Sequence, residues 1–321
     1  MKQVKWVSSV LTVLALGLPF LSGSAAHASS LSDLINQLEG KTSCQTSNYP
    51  TFDGILKRRA LIAKDKGMLY YYCLPNSPMA ANCATFLEFT SLNNAQLQMK
   101  LATDLAFWTQ VVTIDYNYAL SKAGKNPAEA KYAMFLSMIL QRSQIVDQAL
   151  ASGRQGETVF IGDSLMHIFE AYGQAEFPKS VFVGIGGDRT DSMLYRLAYH
   201  VGKIRPKNVV MSISGNDFLQ SCKTQDIQKR RILIVNVLKS LGVQNIYWVS
   251  LPPLGDKKAA QGIPAQNALI ASIPGVTYLD TWTAMAAPDG TIAPQYKGDG
   301  IHFNEQAYRD VWIPKFKALG L

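Results

Sequence analysis

The sequence predicts an α/β protein: a three-layer α/β/α, doubly wound sheet of about five parallel strands, with a helical N-terminal extension. From residue 157 onward, short β-branched or aromatic runs alternate with helical stretches, which is typical of parallel βαβ units. These runs lack a regular apolar/polar alternation, as expected of strands that are covered on both faces. The predicted strands are Thr158–Ile161, Val181–Ile185, Asn208–Ile213, Asn245–Leu251 and Val276–Leu279.

Composition limits the class of protein. The 321 residues are 48% hydrophobic and 17% charged, with a mean hydropathy of +0.02. These values are typical of a globular chain with a large core and exclude a disordered one. The net charge of +8 comes from dispersed Lys and Arg residues, without a basic run or zinc-finger spacing. We therefore predict no nucleic-acid partner.

The N-terminus has the pattern of a secretory signal peptide. Lys2 and Lys5 precede an apolar stretch, Val7–Leu21, and small residues end in Ala26-His27-Ala28. We predict cleavage near Ala28 and export to the periplasm or the extracellular space, with an uncleaved N-terminal anchor as the alternative. No later stretch has 18 consecutive apolar residues, so we predict no membrane span in the mature chain.

Four cysteines follow the predicted signal peptide: Cys44, Cys73, Cys83 and Cys222. An even number in an exported protein permits two disulfides, with three possible connectivities. If all four pair, one bridge ties Cys222 to the N-terminal segment. A metal site is the poorer interpretation because no C-x-x-C or H-x-x-x-H spacing occurs.

The predicted organisation is a signal peptide over 1–28, a mainly helical segment over 29–155 and a sheet domain over 156–321. One helix is predicted from Asn94 to about Val112, because its apolar residues recur at helical spacing. Those apolar residues are Leu97, Leu101, Leu105 and Trp108.

A second helix is predicted from Ala128 to about Ala151. Asn126 supplies an N-cap, Pro127 suits the first helical position, and Gly153 provides a stop. The run Tyr70–Tyr72 is compatible with a strand, with an aromatic surface for sugars, or with core packing.

Polar and glycine-rich motifs follow the predicted strands. In an open parallel sheet, ligands bind beyond the carboxyl ends of the strands, so these motifs should meet at one edge. Three motifs follow the first three strands and one lies near the C-terminus: Gly162–Leu165, Gly184–Asp188, Ser214–Asp217 and Asp299–His302.

Together the four motifs contain the groups needed for acyl transfer. Ser164 is the predicted nucleophile, His302 its general base and Asp299 the residue that orients the imidazole. The predicted oxyanion donors are the N–H groups of Ser164 and Gly187 and the side-chain amide of Asn216. This chemistry requires no metal ion or organic cofactor, and we predict none.

At these motifs the chain resembles the SGNH (GDSL-type) esterases and lipases, over about Thr158 to Lys317. The resemblance implies a flavodoxin-like sheet and assigns the same roles to Ser164, Gly187, Asn216, Asp299 and His302, with Gly186 as the alternative oxyanion glycine. Gly184–Thr190 followed by Leu194–Leu197 is most similar to the platelet-activating-factor acetylhydrolase branch, which implies short acyl groups. One departure is Ser214, where the family more often has glycine.

Other candidate residues receive structural roles. We expect Asp163 and Asp188 to hold the site loops through backbone hydrogen bonds. His167 should lie on the helix that Ser164 begins, and a packing role is favoured over a place in the pocket wall. His200 should end a helical stretch as a cation that suits the helix dipole. The sequence Gly184-x-Gly186 is not a dinucleotide fingerprint, because Arg189 occupies the position of the third glycine.

The first functional hypothesis is an exported serine esterase that removes short acyl groups, O-acetyl foremost, from envelope or extracellular carbohydrate. A lipase or lysophospholipase, with the helical segment as a lid, and an acyltransferase are alternatives that use the same triad. A non-catalytic polysaccharide-binding or assembly protein is the alternative from another class. The expected partner is an acylated carbohydrate or lipid, and no oligomeric state follows from the sequence.

Overall fold

The computed structural model describes residues 50–321, and its centre is a five-stranded parallel sheet in the order β2-β1-β3-β4-β5. The predicted fold class is confirmed, and each strand starts within one residue of its predicted start. From β1 the next strand, β2, is added on one side of the sheet, and β3, β4 and β5 are then added on the other side. A topological switch point therefore lies between the carboxyl ends of β1 and β3. The strands are β1 (Thr158–Gly162), β2 (Val181–Gly184), β3 (Asn208–Ser212), β4 (Asn245–Val249) and β5 (Thr277–Leu279).

Helices form the described part of the chain before the sheet. The stretch predicted as one helix from Asn94 to Val112 is two helices, because Asp104 starts a new one. Its carboxylate accepts the Phe107 N–H at 2.9 Å, an N-cap hydrogen bond that the apolar periodicity does not reveal. The helices are α1 (Phe52–Lys64), α2 (Lys66–Cys73), α3 (Cys83–Ser91), α4 (Asn94–Thr103), α5 (Leu105–Ala123) and α6 (Pro127–Ala151), with a 3₁₀ turn at Ala80–Asn82.

The remaining helices connect the strands or follow the sheet. Two short π-helical stretches, Ala198–Gly202 and Tyr308–Trp312, continue helices α8 and α14, and a 3₁₀ turn covers Pro294–Tyr296. The α-helices are α7 (Ser164–Gly173), α8 (Thr190–Leu197), α9 (Gly215–Leu219), α10 (Thr224–Ser240), α11 (Lys257–Ala260), α12 (Ile263–Ala271), α13 (Trp282–Met285), α14 (Glu305–Ala307) and α15 (Ile313–Lys317).

Alternate residues of each central strand enter different hydrophobic cores, one on each face of the sheet. Val159 and Ile161 pack in the same core as Trp108 and other side chains of α1–α6. Phe160, between them, packs in the opposite core with Trp312 and the C-terminal helices. Helices α1–α6 therefore share one core with the sheet, which brings α6 close to the strand ends.

The tyrosine run is helical and lies in α2. Tyr72 is buried and stacks on Phe86 with ring centroids 5.2 Å apart, whereas Tyr70 and Tyr71 are exposed. The expected core packing thus applies to one of the three rings. No helix among residues 50–321 is long and apolar enough to cross a membrane.

A disulfide joins Cys73 at the end of α2 to Cys83 at the start of α3. Cys222 is also disulfide-bonded. Cys44 and the predicted signal peptide lie outside the described residues.

Candidate active site

The tight turn between β1 and α7 presents Ser164. Gly162 adopts φ +155°, and a Cβ there would lie 2.0 Å from the Ser212 carbonyl oxygen, so only glycine fits. Asp163 caps the helix, because its Oδ1 accepts the Leu165 N–H at 3.0 Å. This is the backbone role expected of Asp163. Ser164 is the first residue of α7, where an N–H has no acceptor within the helix.

A continuous hydrogen-bonded series joins Ser164, His302 and Asp299. His302 Nε2 lies 2.8 Å from Ser164 Oγ, and His302 Nδ1 lies 2.8 Å from Asp299 Oδ2. With the Nδ1–H donating to the carboxylate, Nε2 is free to accept the serine proton. A hydroxyl, an imidazole and a carboxylate bonded in this order can act as a nucleophile, its base and an orienting group.

The Asp299 carboxylate also organises its own loop. Its Oδ1 accepts the N–H groups of Ile301 at 2.9 Å and His302 at 2.7 Å. The hydrogen bond from the His302 side chain, followed by these two backbone bonds, holds the pKa of Asp299 well below its usual range. The carboxylate is therefore ionised at neutral pH.

The predicted oxyanion donors lie around the turn after β2. Gly187 has φ +76° within a turn that the Asp188 N–H closes on the Ile185 oxygen at 3.2 Å. Asn216 donates from Nδ2 to the Asp188 carbonyl at 3.0 Å, which ties α9 to this turn. An amide nitrogen has two hydrogens, so one N–H of Asn216 remains for a ligand.

The Gly184–Asp188 loop is anchored by a buried ion pair. Arg196 donates to Asp188 Oδ2 from Nη2 at 2.7 Å and from Nε at 2.9 Å. The same guanidinium donates to the carbonyls of Val183 at 2.9 Å and Gly162 at 3.1 Å. Arg196 thereby connects the ends of β1 and β2. Asp188 also accepts the N–H of Arg189 at 3.0 Å, the expected backbone role.

His200 differs from its expected role as a helix-end cation. It is fully buried, and its Nδ1 lies 3.0 Å from Arg196 Nη1. Burial, followed by the charge of Arg196, lowers the pKa of His200 well below its ordinary value. His200 is therefore neutral, accepts from Arg196 through Nδ1, and has Nε2 3.1 Å from Ser143 Oγ.

Ser214, the departure from the family pattern, has the backbone conformation that favours glycine. Its φ is +87°, in the left-handed region. The serine hydroxyl compensates by accepting hydrogen bonds from the buried Arg231 guanidinium at 2.9 and 3.1 Å. The side chain thus supplies an anchor for α10 that glycine lacks.

An apolar pocket opens beside Ser164. It encloses about 370 Å³ including its open mouth. Every lining residue lies between positions 163 and 302, so helices α1–α6 contribute none of the described lining. The lid that the lipase alternative places in the helical segment is therefore not seen among residues 50–151. The lining consists of Asp163, Ser164, Leu165, Gly215, Asn216, Phe218, Leu219, Leu251, Pro252, Leu254, Ile263, Ile301 and His302.

The structure places Ser164, Asn216 and His302 in the lining of one pocket. Asp299 is hydrogen-bonded to His302, and Gly187 directly precedes Asp188, whose carbonyl accepts from Asn216. His167 is on α7 as expected but is exposed rather than packed. Sequence reasoning missed the apolar lining, for which no local signal exists.

Two arginines near the site were also missed. Arg196 lies in the Leu194–Leu197 motif, and Arg142 lies on the otherwise apolar stripe of α6. A charged residue on an apolar helix face could have been noticed as a buried ion-pair candidate.

Comparisons with known proteins agree with this architecture. Residues 152–309 match the GDSL-like Lipase/Acylhydrolase family. A GDSL-like lipase from Bacteroides thetaiotaomicron has a similar structure at 18% identity and a TM-score of 0.50, over 56% of this chain and 96% of that one. A catalytic mutant of an acetylxylan esterase from Geobacillus stearothermophilus is similar at 17% identity and a TM-score of 0.43, over 51% and 94% of the two chains. No curated protein sequence matches the chain.

The family match spans β1 to β5 and the four motifs that follow the strands. The solved structure from Bacteroides thetaiotaomicron supports the same fold. Residues 152–309 therefore form a GDSL-like lipase/acylhydrolase domain, and the enzyme class of this domain is carboxylic ester hydrolase.

Proposed function

We propose that this protein is an exported serine esterase that removes short acyl groups, O-acetyl foremost, from carbohydrate. Ser164 is the nucleophile, His302 the general base and acid, and Asp299 the residue that orients the imidazole. The observation that supports this most is the hydrogen-bonded series from Ser164 Oγ through His302 to Asp299, with both side-chain distances at 2.8 Å.

Catalysis proceeds through an acyl-enzyme. Ser164 Oγ attacks the ester carbonyl as His302 Nε2 takes its proton, and the protonated imidazole is stabilised by the Asp299 carboxylate. The oxyanion accepts hydrogen bonds from the N–H groups of Ser164 and Gly187 and from Asn216 Nδ2. The leaving alcohol then takes the proton from His302. A water molecule, activated by the same imidazole, hydrolyses the acyl-enzyme and returns the serine.

The apolar pocket beside Ser164 suits the acyl group. Leu251, Leu254 and Ile263 line it and offer no charge, so the carbonyl is the polar part of a bound acyl group. Burying a methyl or methylene group there contributes roughly 0.8 kcal/mol per carbon. The alcohol part of the ester extends toward the exposed loop that contains Asp299, where a polar sugar remains hydrated.

Export is supported by the signal-peptide pattern and by the disulfide between Cys73 and Cys83. Disulfides persist in oxidising compartments such as the periplasm and the extracellular space. Loss of Lys2 and Lys5 with the signal peptide reduces the net charge from +8 to +6, which still suits anionic envelope polymers.

A lipase or lysophospholipase is the second candidate, and one observation favours it. Leu219 and Ile301 line the pocket and are 39% and 50% exposed. Exposed apolar side chains at a pocket mouth can contact a longer acyl chain or a lipid surface. The two candidates differ in the acyl length they prefer.

The first test treats the purified mature protein and its Ser164→Ala variant with a fluorophosphonate probe, which captures activated serines. We expect labelling of the wild type and none of the variant. A folded wild-type protein that is never labelled would contradict the proposal and leave glycan binding without turnover as the leading function.

The second test compares rates on p-nitrophenyl acetate, butyrate and octanoate. The proposal predicts the highest kcat/KM for the acetate or the butyrate. A maximum at the octanoate would replace the short-acyl esterase by the lipase. Release of acetate from an acetylated oligosaccharide, measured in parallel, tests the carbohydrate assignment.

A further inference from the structure

Helix α6 lies outside the region that matches the acylhydrolase family, yet it contacts the oxyanion loop Gly184–Asp188. Arg142, which is 8% exposed, donates from Nε to the Gly184 carbonyl at 2.8 Å. Its Nη1 donates to Glu170 Oε2 at 2.7 Å. Gly184 ends β2, and Glu170 lies on α7, the helix that begins with Ser164. One guanidinium therefore links the start of the oxyanion loop to the nucleophile helix.

The backbones of these two elements also approach each other closely, at a position where only glycine fits. A Cβ on Gly184 would lie 2.3 Å from the His167 nitrogen and 2.5 Å from the Met166 carbonyl carbon. The backbone of β2 thus rests directly on the first turn of α7. A displacement of Gly184 toward α7 would therefore press on the turn that presents Ser164.

A second connection from α6 reaches the other end of the loop. Ser143, adjacent to Arg142, has its Oγ 3.1 Å from His200 Nε2. His200 Nδ1 lies 3.0 Å from Arg196, which in turn holds the Asp188 carboxylate. Both ends of the Gly184–Asp188 loop are therefore connected to α6 through buried polar contacts.

Such contacts are costly to bury unless they are fully paired, so their position indicates a strong constraint on geometry. Oxyanion donors need that constraint, because a displacement of about 1 Å can cost about a hundredfold in rate. The helical segment lines none of the described pocket, which separates this role from substrate binding.

We propose that Arg142 is a positioning residue for the oxyanion loop, so that full activity requires α6 as well as the family domain. The residue acts through the Gly184 carbonyl and touches no substrate. This inference rests on the proposed function, in which Gly187 and Asn216 donate to the oxyanion.

The test measures kcat and KM on p-nitrophenyl acetate for Arg142→Met, with Arg58→Met as the matched control. Arg58 is a largely buried arginine of the same helical segment, with a side chain that is 11% exposed and pairs with Asp115 at 2.5 Å and with Glu129 at 2.8 Å. Arg58 lies on α1, and its partners lie on α5 and α6, so none of these contacts involves the Gly184–Asp188 loop. Titration with the fluorophosphonate probe counts competent sites, so that partial unfolding does not alter the kcat per site.

For Arg142→Met we expect kcat per site to fall by about ten- to a hundredfold with KM within about twofold of the wild type, since oxyanion donors act in the transition state. Arg58→Met should lower Tm but leave kcat per site within about twofold. Arg142→Lys should lie between Arg142→Met and the wild type, because one ammonium can donate to Gly184 but cannot span both acceptors.

Wild-type kcat per site in a folded Arg142→Met protein would overturn the inference, as would an equal loss of kcat in Arg58→Met. If Arg142→Met does not fold, Arg142→Lys decides: a loss of about three- to tenfold supports the inference, and an unchanged kcat overturns it. A wild-type protein that neither labels nor turns over would instead contradict the proposed function.

Discussion

Two loops meet at the active site, and they hold their carboxylates in opposite ways. Asp188, in the oxyanion loop, has a side chain that is 1% exposed and is paired with an equally buried Arg196. Asp299, in the loop Gly298–His302, has a side chain that is 63% exposed and is paired with His302. Each carboxylate accepts hydrogen bonds from one basic side chain and from nearby backbone N–H groups.

The difference in exposure indicates different roles: the buried carboxylate of Asp188 positions a loop, and the exposed carboxylate of Asp299 supports the proposed chemistry. A buried ion pair is costly to disturb, so the Asp188–Arg196 contact keeps the loop in one conformation. An exposed pair contributes little to stability but leaves the imidazole accessible to substrate and water. We therefore expect substitutions in the exposed loop to change rate alone, and substitutions behind the oxyanion loop to change stability as well.

The largest expected effect is the loss of the base. His302→Ala should reduce kcat by about 10⁵-fold or more, because the serine then has no proton acceptor. The Tm should stay within about 2 °C of the wild type, since the bond to Asp299 is exposed and the bond to Ser164 is only partly buried. Turnover of p-nitrophenyl acetate and a thermal melt provide the two measurements.

His167→Ala is the matched control for that variant. His167 is an exposed histidine near the site, on the helix that Ser164 begins. Its removal should leave kcat within about threefold, a change of less than about 1 kcal/mol. Comparable losses of kcat in His167→Ala and His302→Ala would contradict the assignment of His302 as the base.

The next largest effect is on stability, from Arg196→Met. Removing the guanidinium leaves the Asp188 carboxylate buried and uncompensated, which should lower the free energy of unfolding by about 3–5 kcal/mol. Activity should fall in the same variant because the oxyanion loop loses its anchor. Urea unfolding measures the first effect, and kcat per titrated site measures the second.

Arg309→Met offers the exposed counterpart. Arg309 pairs with Glu305 at 2.6 Å, with both side chains about half exposed. Its loss should cost less than about 1 kcal/mol. If Arg196→Met costs no more than this control, the contrast between the two loops is wrong.

The smallest expected effect is a change in pH dependence from Asp163→Asn. Burial, with smaller contributions from the charges of Asp188 and Asp217, raises the pKa of Asp163 to about 7. Between pH 4 and 7 the folded state then holds a proton that the unfolded state has lost, so this carboxyl lowers stability as pH rises.

Asn cannot titrate but retains an oxygen that can accept the Leu165 N–H. The free energy of unfolding of Asp163→Asn should therefore decline less than that of the wild type as pH rises from about 4 to 7. Parallel pH dependences, measured by urea unfolding, would show that the carboxyl ionises normally in the folded state.

The sheet, and the meeting of four motifs at one of its edges, could be predicted from the sequence because both follow from local patterns. Strand candidates and turn residues are visible in single stretches such as Thr158–Leu165. The parallel sheet then brings distant motifs together at the carboxyl ends of its strands. For this reason Ser164 and His302, 138 positions apart, could be paired in advance.

Features that depend on contacts between distant side chains could not be predicted. The break at Asp104 required knowledge that its carboxylate caps a new helix. The neutral state of His200 depends on Arg196 and on complete burial. Likewise, nothing local to Arg142 indicates that its partners are Gly184 and Glu170.

Trapping the acyl-enzyme tests whether Ser164 is the nucleophile. The protein is mixed with p-nitrophenyl acetate, quenched in acid within milliseconds, digested and analysed by peptide mass spectrometry. We expect a mass increase of one acetyl group on the peptide that contains Ser164, and no increase on the same peptide of Ser164→Ala. An active protein whose acetyl group appears on another residue, or on none while p-nitrophenol is released in a burst, would contradict it.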